Sequence, residues 1–147
     1  MQGDADTIDP AAVTRALRLT ALAGPVIHLP VTGSTNELAL EAAQGGATRG
    51  IWVADEQTAG RGRGGHTWHS ARRDGLYVSV LVTPDLPLDK ALWLSLATGL
   101  AAQQAIHRVA QTHIDLRWPN DLLLGVRKLG GVLVESAVEK PIAGESA

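Results

Sequence analysis

The chain has no cysteine and no phenylalanine, and only one tyrosine and one methionine among its 147 residues. Without cysteine there is no disulfide, no thiol nucleophile and no thiolate-bound zinc, a usage that suits a reducing, cytoplasmic setting. Without phenylalanine the core must be aliphatic, so each of the four tryptophans is a position to examine. Excess positive charge is also missing. Thirteen Lys and Arg against fifteen Asp and Glu leave a net charge of −2, which provides no field for holding a nucleic-acid backbone. No run approaches the ~18 apolar residues of a membrane span. The opening Met1 to Asp9 segment is acidic, the reverse of a secretory leader. The expectation is a protein with neither nucleic-acid nor membrane partners.

What is present is ordinary globular material, 45% hydrophobic and 19% charged, long enough for one domain with a core. No internal repeat or low-complexity segment occurs. Asp9-Pro10 starts a helix over Ala11 to Leu22, stopped by Gly24-Pro25, and Val26 to Leu29 reads as a short strand. Ser34-Thr35-Asn36-Glu37 has the S-x-x-E form of a capping box and opens a helix that closes at Gly45-Gly46. Strands are expected at Ile51 to Asp55 and at Leu76 to Thr83, the latter rich in β-branched residues, with a long helix over Leu88 to Val109. Three strands follow, His113 to Trp118, Asp121 to Leu124 and Lys128 to Ala137, the last two forming a hairpin across Gly125-Val126-Arg127. This order predicts an α/β (α+β) fold with a mixed, largely antiparallel sheet flanked by helices.

Between two of the strands lies the polar stretch Thr58 to Asp74, too long for a simple turn. Within it, Gly60-Arg61-Gly62-Arg63-Gly64-Gly65-His66-Thr67-Trp68 places glycines where backbone N–H groups can approach a ligand and interleaves two guanidinium groups suited to an anion. Gly60, Gly62 and Gly65 satisfy G-x-G-x-x-G. A dinucleotide fingerprint should open a helix directly after a strand, however, and the residues that follow do not read as helix. The bland alternative is a basic surface loop. Arg117-Trp118-Pro119-Asn120-Asp121 reads either as a turn between strands or as polar groups set at a strand boundary. Arg127-Lys128-Leu129-Gly130-Gly131 reads either as a charged hairpin tip or as a strand loosened by glycine where a ligand comes close.

Taken together, S-T-N, E-Q-T-A-G-R-G-R-G-G-H-T-W, R-W-P-N-D and R-K-L-G-G-V-L-V-E resemble the bacterial biotin protein ligases in order and approximate spacing, from about His28 to about Val138. The resemblance implies the fold of class II aminoacyl-tRNA synthetases and biotin ligases. It also implies an enzyme that joins biotin to ATP as biotinyl-AMP, with Mg²⁺ entering with ATP, and then passes biotin to a lysine of a biotin carboxyl carrier protein. Ser34, Thr35, Asn36, Gln57, Gly60, Arg61, Gly62, Arg63, Lys128 and Gly131 are implied at the biotin side. Hydroxyl and amide groups complement the ureido ring's one acceptor and two donors. Arg63, Trp68, Arg117, Asn120 and Lys128 are implied at the nucleotide, with the glycine-arginine loop closing over the adenylate once ligand arrives.

Lys128 and Arg63 are implied as the charges that neutralise two reacting anions. Asp121 is implied as the acceptor or orienter for the incoming lysine amine. No side-chain cluster suggests a metal site, so Mg²⁺ would be held through ATP, with Asn120 and Asp121 as candidate helpers.

His66 stands where many relatives carry arginine, and Arg117 where many carry lysine. The remaining histidines lack ligand spacing. A relative would continue past the V-L-V-E strand and end in a β-barrel, so the expectation is the incomplete front part of a catalytic domain. With about 27 residues ahead of the resemblance, no winged-helix DNA-binding domain is expected. Relatives also form homodimers by joining sheet edges. The alternative functions are a lipoate ligase-like enzyme and a non-catalytic remnant that only binds biotin or adenylate.

Overall fold

The computed structural model describes residues 8–137. They fall into two compact units, one holding residues up to Gly60 together with Trp68–Thr83 and the segment from Glu135, the other holding Arg61–Thr67 and Pro84–Val134.

In the first unit, α1 (Pro10–Leu17) opens as expected, with the Asp9 carboxylate accepting the Ala11 N–H at 2.9 Å and proline in the first turn. It ends at Leu17, earlier than expected. The Thr20 hydroxyl donates to the Leu17 carbonyl at 2.8 Å and accepts the Leu22 N–H at 3.2 Å, offering the backbone a local turn in place of another helical one. The sheet runs β1 (Val26–Leu29), β2 (Gly50–Ala54), β3 (Tyr77–Leu81), with β1 parallel and β3 antiparallel to the central β2. Every residue of β2 is buried. On β3 the V-S-V alternation carries through to alternating burial, with Ser79 facing inward. Trp52 lies over Gly50, where an added Cβ would fall 2.6 Å from the indole, so one of the four tryptophans is core. Helix α2 (Thr35–Gln44) packs on β2 and β3 and stops at Gly45, whose N–H reaches the Glu41 carbonyl at 3.0 Å. Tyr77 donates its phenol to the Ala71 carbonyl at 2.9 Å, and burial, with the Asp74 carboxylate nearby, raises its pKa.

In the second unit, α3 (Ala91–Ala110) packs on the antiparallel sheet β4 (Asp115–Arg117), β5 (Asp121–Leu124), β6 (Arg127–Gly131). Gly99 lets α3 approach β4, since its Cβ would already touch Leu116 at 3.4 Å. Ile114 is 1% exposed and forms the innermost contact. Gln103 donates to the Ile114 carbonyl at 2.6 Å.

Strand β6 is shorter than the expected Lys128 to Ala137. Its partner β5 begins at Asp121, and one residue earlier the turn Trp118-Pro119-Asn120, with its cis Trp118–Pro119 bond, takes over. Proline has no N–H for a ladder. Asn120 closes the pairing by accepting the Val132 N–H at 2.9 Å and donating its side-chain amide to the Val132 carbonyl at 3.1 Å.

Candidate functional site

The first unit builds a polar cluster at the start of α2. Ser34 occupies the N-cap position in extended conformation but its hydroxyl makes no cap bond, so the expected capping box does not form. The neighbouring Thr35 N–H donates to Gln57 Oε1 at 2.9 Å. Gln57 reaches it because residues 31–33 run beside residues 56–59 as an irregular parallel extension of β1 and β2. In that extension Thr32 accepts from Thr58 at 2.9 Å and Gly33 accepts from Ala59 at 2.8 Å. The other end of the Gln57 amide donates to Ser70 Oγ at 3.0 Å, and Ser70 donates to the Trp68 carbonyl at 3.2 Å. Ser34 is 3% exposed, and its oxygen is not among buried atoms lacking a partner. Its hydroxyl is therefore not spent on capping the helix.

Thr35 Oγ1 contacts Ser79 Oγ at 2.8 Å, Ser79 donates to Asn36 Oδ1, and Asn36 Nδ2 donates to the Glu135 carboxylate at 2.9 Å. Ser70, Ser79 and Glu135 were not foreseen as members of this cluster. A serine inside a strand carries no signature of its own, and only register places Ser79 opposite Trp52 and toward α2.

Gly60 sits beneath the same cluster. A Cβ there would lie 2.5 Å from Ser70 Oγ, 2.5 Å from the Trp68 carbonyl oxygen and 3.2 Å from Gln57 Nε2. The requirement for glycine is thus steric, and the Trp68 N–H donates to the Gly60 carbonyl at 2.8 Å. Trp68 itself is half-buried.

Arg61 and Thr67 form an antiparallel bridge, and the Gly62 N–H donates to the His66 carbonyl at 2.7 Å. The turn between them holds Gly64 at φ +69° and Gly65 at φ +80°, which L side chains resist. The segment is a hairpin-like turn rather than the entry to a helix, so the G-x-G-x-x-G match has no dinucleotide meaning. His66 is exposed on it.

In the second unit the charges meet at Asp121 on β5, between Arg117 on β4 and Lys128 on β6. Lys128 Nζ lies 2.8 Å from Asp121 Oδ1, and Arg117 donates to Asp121 Oδ2 through Nη2 at 2.6 Å and Nε at 3.2 Å. Bonds from Lys128 and then Arg117 hold the Asp121 pKa below its ordinary value, although burial opposes the shift. An aspartate so held is a weak base and a firm anchor for two cations. Gly131 lies alongside, its would-be Cβ 3.5 Å from the Asn120 carbonyl and 3.9 Å from Asp121 Oδ1.

Arg63, Ser95 and Asn120 line a cavity of about 230 Å³ whose other walls, among them Leu92, Pro119 and Val132, are apolar. Among the described residues no group of three or more His, Cys, Asp or Glu side chains is placed to hold a metal ion. Both oxygens of Asp121 are already engaged by cations. This donor set does not fit a protein-held Mg²⁺, which would have to come coordinated to nucleotide phosphates.

A mixed α/β fold with a hydroxyl-and-amide cluster in one unit and a Lys-Asp-Arg cluster in the other describes a class of protein suited to small polar ligands and anions. The comparisons with known proteins are specific. The Biotin/lipoate A/B protein ligase family model matches residues 25–146. The bifunctional ligase/repressor BirA of Bacillus spizizenii is 38% identical over 125 residues, covering 84% of this chain and 38% of that protein. The biotin--[acetyl-CoA-carboxylase] ligase of Mycobacterium tuberculosis is 42% identical over 112 residues, covering 72% of this chain and 42% of that protein. Among solved structures, the biotin protein ligase of Aquifex aeolicus in complex with biotin and ATP aligns with a TM-score of 0.67 at 35% identity, over 76% of this chain and 47% of that one.

The chain belongs to the Biotin/lipoate A/B protein ligase family, and its fold is the class II aminoacyl-tRNA synthetase-like fold of the biotin protein ligases. It spans about two fifths of the curated relatives it matches.

Proposed function

We propose that the chain carries the front part of a catalytic domain that activates biotin with ATP and transfers it to a carrier-protein lysine. In the first step a biotin carboxylate oxygen attacks the α-phosphorus, the α–β phosphoanhydride bond breaks, and pyrophosphate leaves. The carboxylate, of ordinary pKa near ~4, is already ionised at neutral pH and needs no base. The barrier is the approach of two anions. The observation that carries the reading is the Lys128–Asp121–Arg117 cluster, in which one carboxylate on β5 fixes a cation from β6 and another from β4. In this proposal Lys128 and Arg63 neutralise the reacting groups, Arg117, Asn120 and Trp68 attend the nucleotide, and Mg²⁺ accompanies ATP as part of the substrate.

In the second step the lysine amine of a biotin carboxyl carrier protein attacks the acyl carbon, the bond to the phosphate oxygen breaks, AMP leaves, and the proton shed by the amine passes to water. Asp121, engaged by both cations, orients Lys128 rather than taking that proton. Ser34, Thr35, Asn36 and Gln57 receive the ureido ring, with Gly60, Arg61, Gly62 and Gly131 supplying close-approach backbone and charge. The cysteine-free chain suits a reducing compartment, and in this proposal the reaction runs in the cytoplasm.

The test is pyrophosphate release by the purified 147-residue chain given ATP with biotin, and separately ATP with lipoate. Release with biotin alone is the expected result. Release with lipoate alone would reassign the substrate, and release with neither would overturn the catalytic reading.

A further inference from the structure

We infer that Ser79 is a positioning residue for ligand recognition, because it sets the direction in which the hydroxyl protons of the α2 cluster point. The inference rests on the biotin reading above. Four groups are joined in line, Thr35, Ser79, Asn36 and Glu135, and the far end decides the rest. The Glu135 carboxylate only accepts, so the nitrogen of the Asn36 amide faces it at 2.9 Å. The amide oxygen therefore faces Ser79, and Ser79 must donate to it. A serine has one proton, so Ser79 can only accept from Thr35 across their 2.8 Å contact. Thr35 has then spent its proton.

Thr35 Oγ1 is also within donating reach of Gln57 Oε1 at 3.1 Å, but its one proton serves the shorter 2.8 Å contact to Ser79, which leaves the longer contact without one. Gln57 Oε1 is already fixed as an acceptor by the Thr35 N–H at 2.9 Å, and its amide nitrogen is committed toward Ser70 at 3.0 Å. Two acceptor oxygens thus stand side by side, one proton short. A ligand N–H, such as a ureido nitrogen supplies, fills that deficit. A ligand offering only acceptors does not. Ser79 is 7% exposed and meets Thr35 Oγ1 at 2.8 Å, so in this inference it acts through Thr35. Without it, the Thr35 proton is free to turn toward Gln57 and close the gap before a ligand arrives.

The experiment is calorimetric titration of biotin into the full 147-residue chain, wild type and three variants, with melting temperatures recorded in parallel. Ser79→Ala should raise the Kd for biotin roughly tenfold, the worth of one oriented hydrogen bond. Ser79→Cys matches serine in size but is a weak donor and acceptor, and should be impaired nearly as much. Ser79→Thr keeps the hydroxyl and should bind within about threefold of wild type. A purely structural role would move melting temperature while leaving Ser79→Cys at wild-type affinity, and that outcome would overturn the inference. Equal affinity in all four proteins would do the same. Should Ser79→Ala fail to fold, the Cys and Thr variants carry the decision. A wild-type chain that binds no biotin at all would sink the underlying functional reading instead.

Discussion

Two glycines of the same loop should respond in opposite ways to one added methyl group. Gly60 is buried, and alanine there would bring Cβ within 2.5 Å of both the Ser70 hydroxyl and the Trp68 carbonyl. The hydroxyl can rotate away, but the carbonyl is backbone, tied into the ring closed by the Trp68 N–H to Gly60 bond at 2.8 Å. Overpacking costs about 1–3 kcal/mol and each hydrogen bond lost with it about 1 kcal/mol, so Gly60→Ala should lose about 2–4 kcal/mol of stability. The shift also displaces Ser70, and with it the Gln57 amide, so biotin affinity should fall too. Gly62 has φ −108° and ψ 178°, open to any residue. Its nearest neighbour would be the His66 carbonyl at 3.4 Å, so Gly62→Ala should stay within about 0.5 kcal/mol or stabilise slightly. Urea unfolding followed by tryptophan fluorescence reads both. Equal costs for the two variants, or a Gly60→Ala protein as stable as wild type, would refute the steric account.

Three further outcomes are expected. Ser34→Ala should change stability by less than about 0.5 kcal/mol, where loss of a true cap would cost about 1 kcal/mol, yet weaken biotin binding; differential scanning calorimetry and a binding titration separate the two. Lys128→Ala should slow pyrophosphate release by about 10²-fold or more, and Lys128→Arg should restore only part of it because a guanidinium does not place charge as an ammonium does; a steady-state assay checks both, and a Lys128→Ala protein of normal rate would remove Lys128 from the chemistry. For Asp121, whose pKa is depressed in the folded chain, the stabilisation is present above its unfolded value near ~3.9 and lost as pH falls through the lower folded value. The melting temperature of wild type relative to Asp121→Asn should therefore be constant from neutral pH down to about 5, then shrink at lower pH. The effect should be modest, since the Lys128 and Arg117 partners are 42% and 63% exposed.

Much of the fold was legible because it rests on local rules. The β-branched run that makes β3, the Gly45-Gly46 stop after α2 and the Asp9-Pro10 start of α1 each depend on a few neighbouring residues, and each holds in the structure. Local rules also misled. Ser34-x-x-Glu37 has the form of a capping box, but Ser34 sits at the N-cap without making a side-chain cap bond, and its neighbour Thr35 is tied to Gln57 from a distant segment. Helix α1 was read too long because Thr20 looks unremarkable until its hydroxyl is seen bonding Leu17 and Leu22. Family motifs pointed to Thr35, Gln57, Asp121 and Lys128, and the structure pairs them as Thr35 with Gln57 and Asp121 with Lys128. Ser70, Ser79 and Glu135 stayed hidden because their part depends on strand register and chain return, which no short pattern encodes.

The two clusters differ in how far along the chain their members must travel to meet. The ion pairs of Asp121 close across the consecutive strands β4, β5 and β6, whereas Thr35 and Ser79 are separated by 44 positions and Asn36 and Glu135 by 99. Contacts of long separation must close larger loops to form, and parts of a fold open locally before the whole chain does. Partial denaturation should therefore erase the selectivity of the α2 cluster while the β4–β6 sheet still displays its charges. Such a species could attract phosphates yet no longer choose among the acids offered to it.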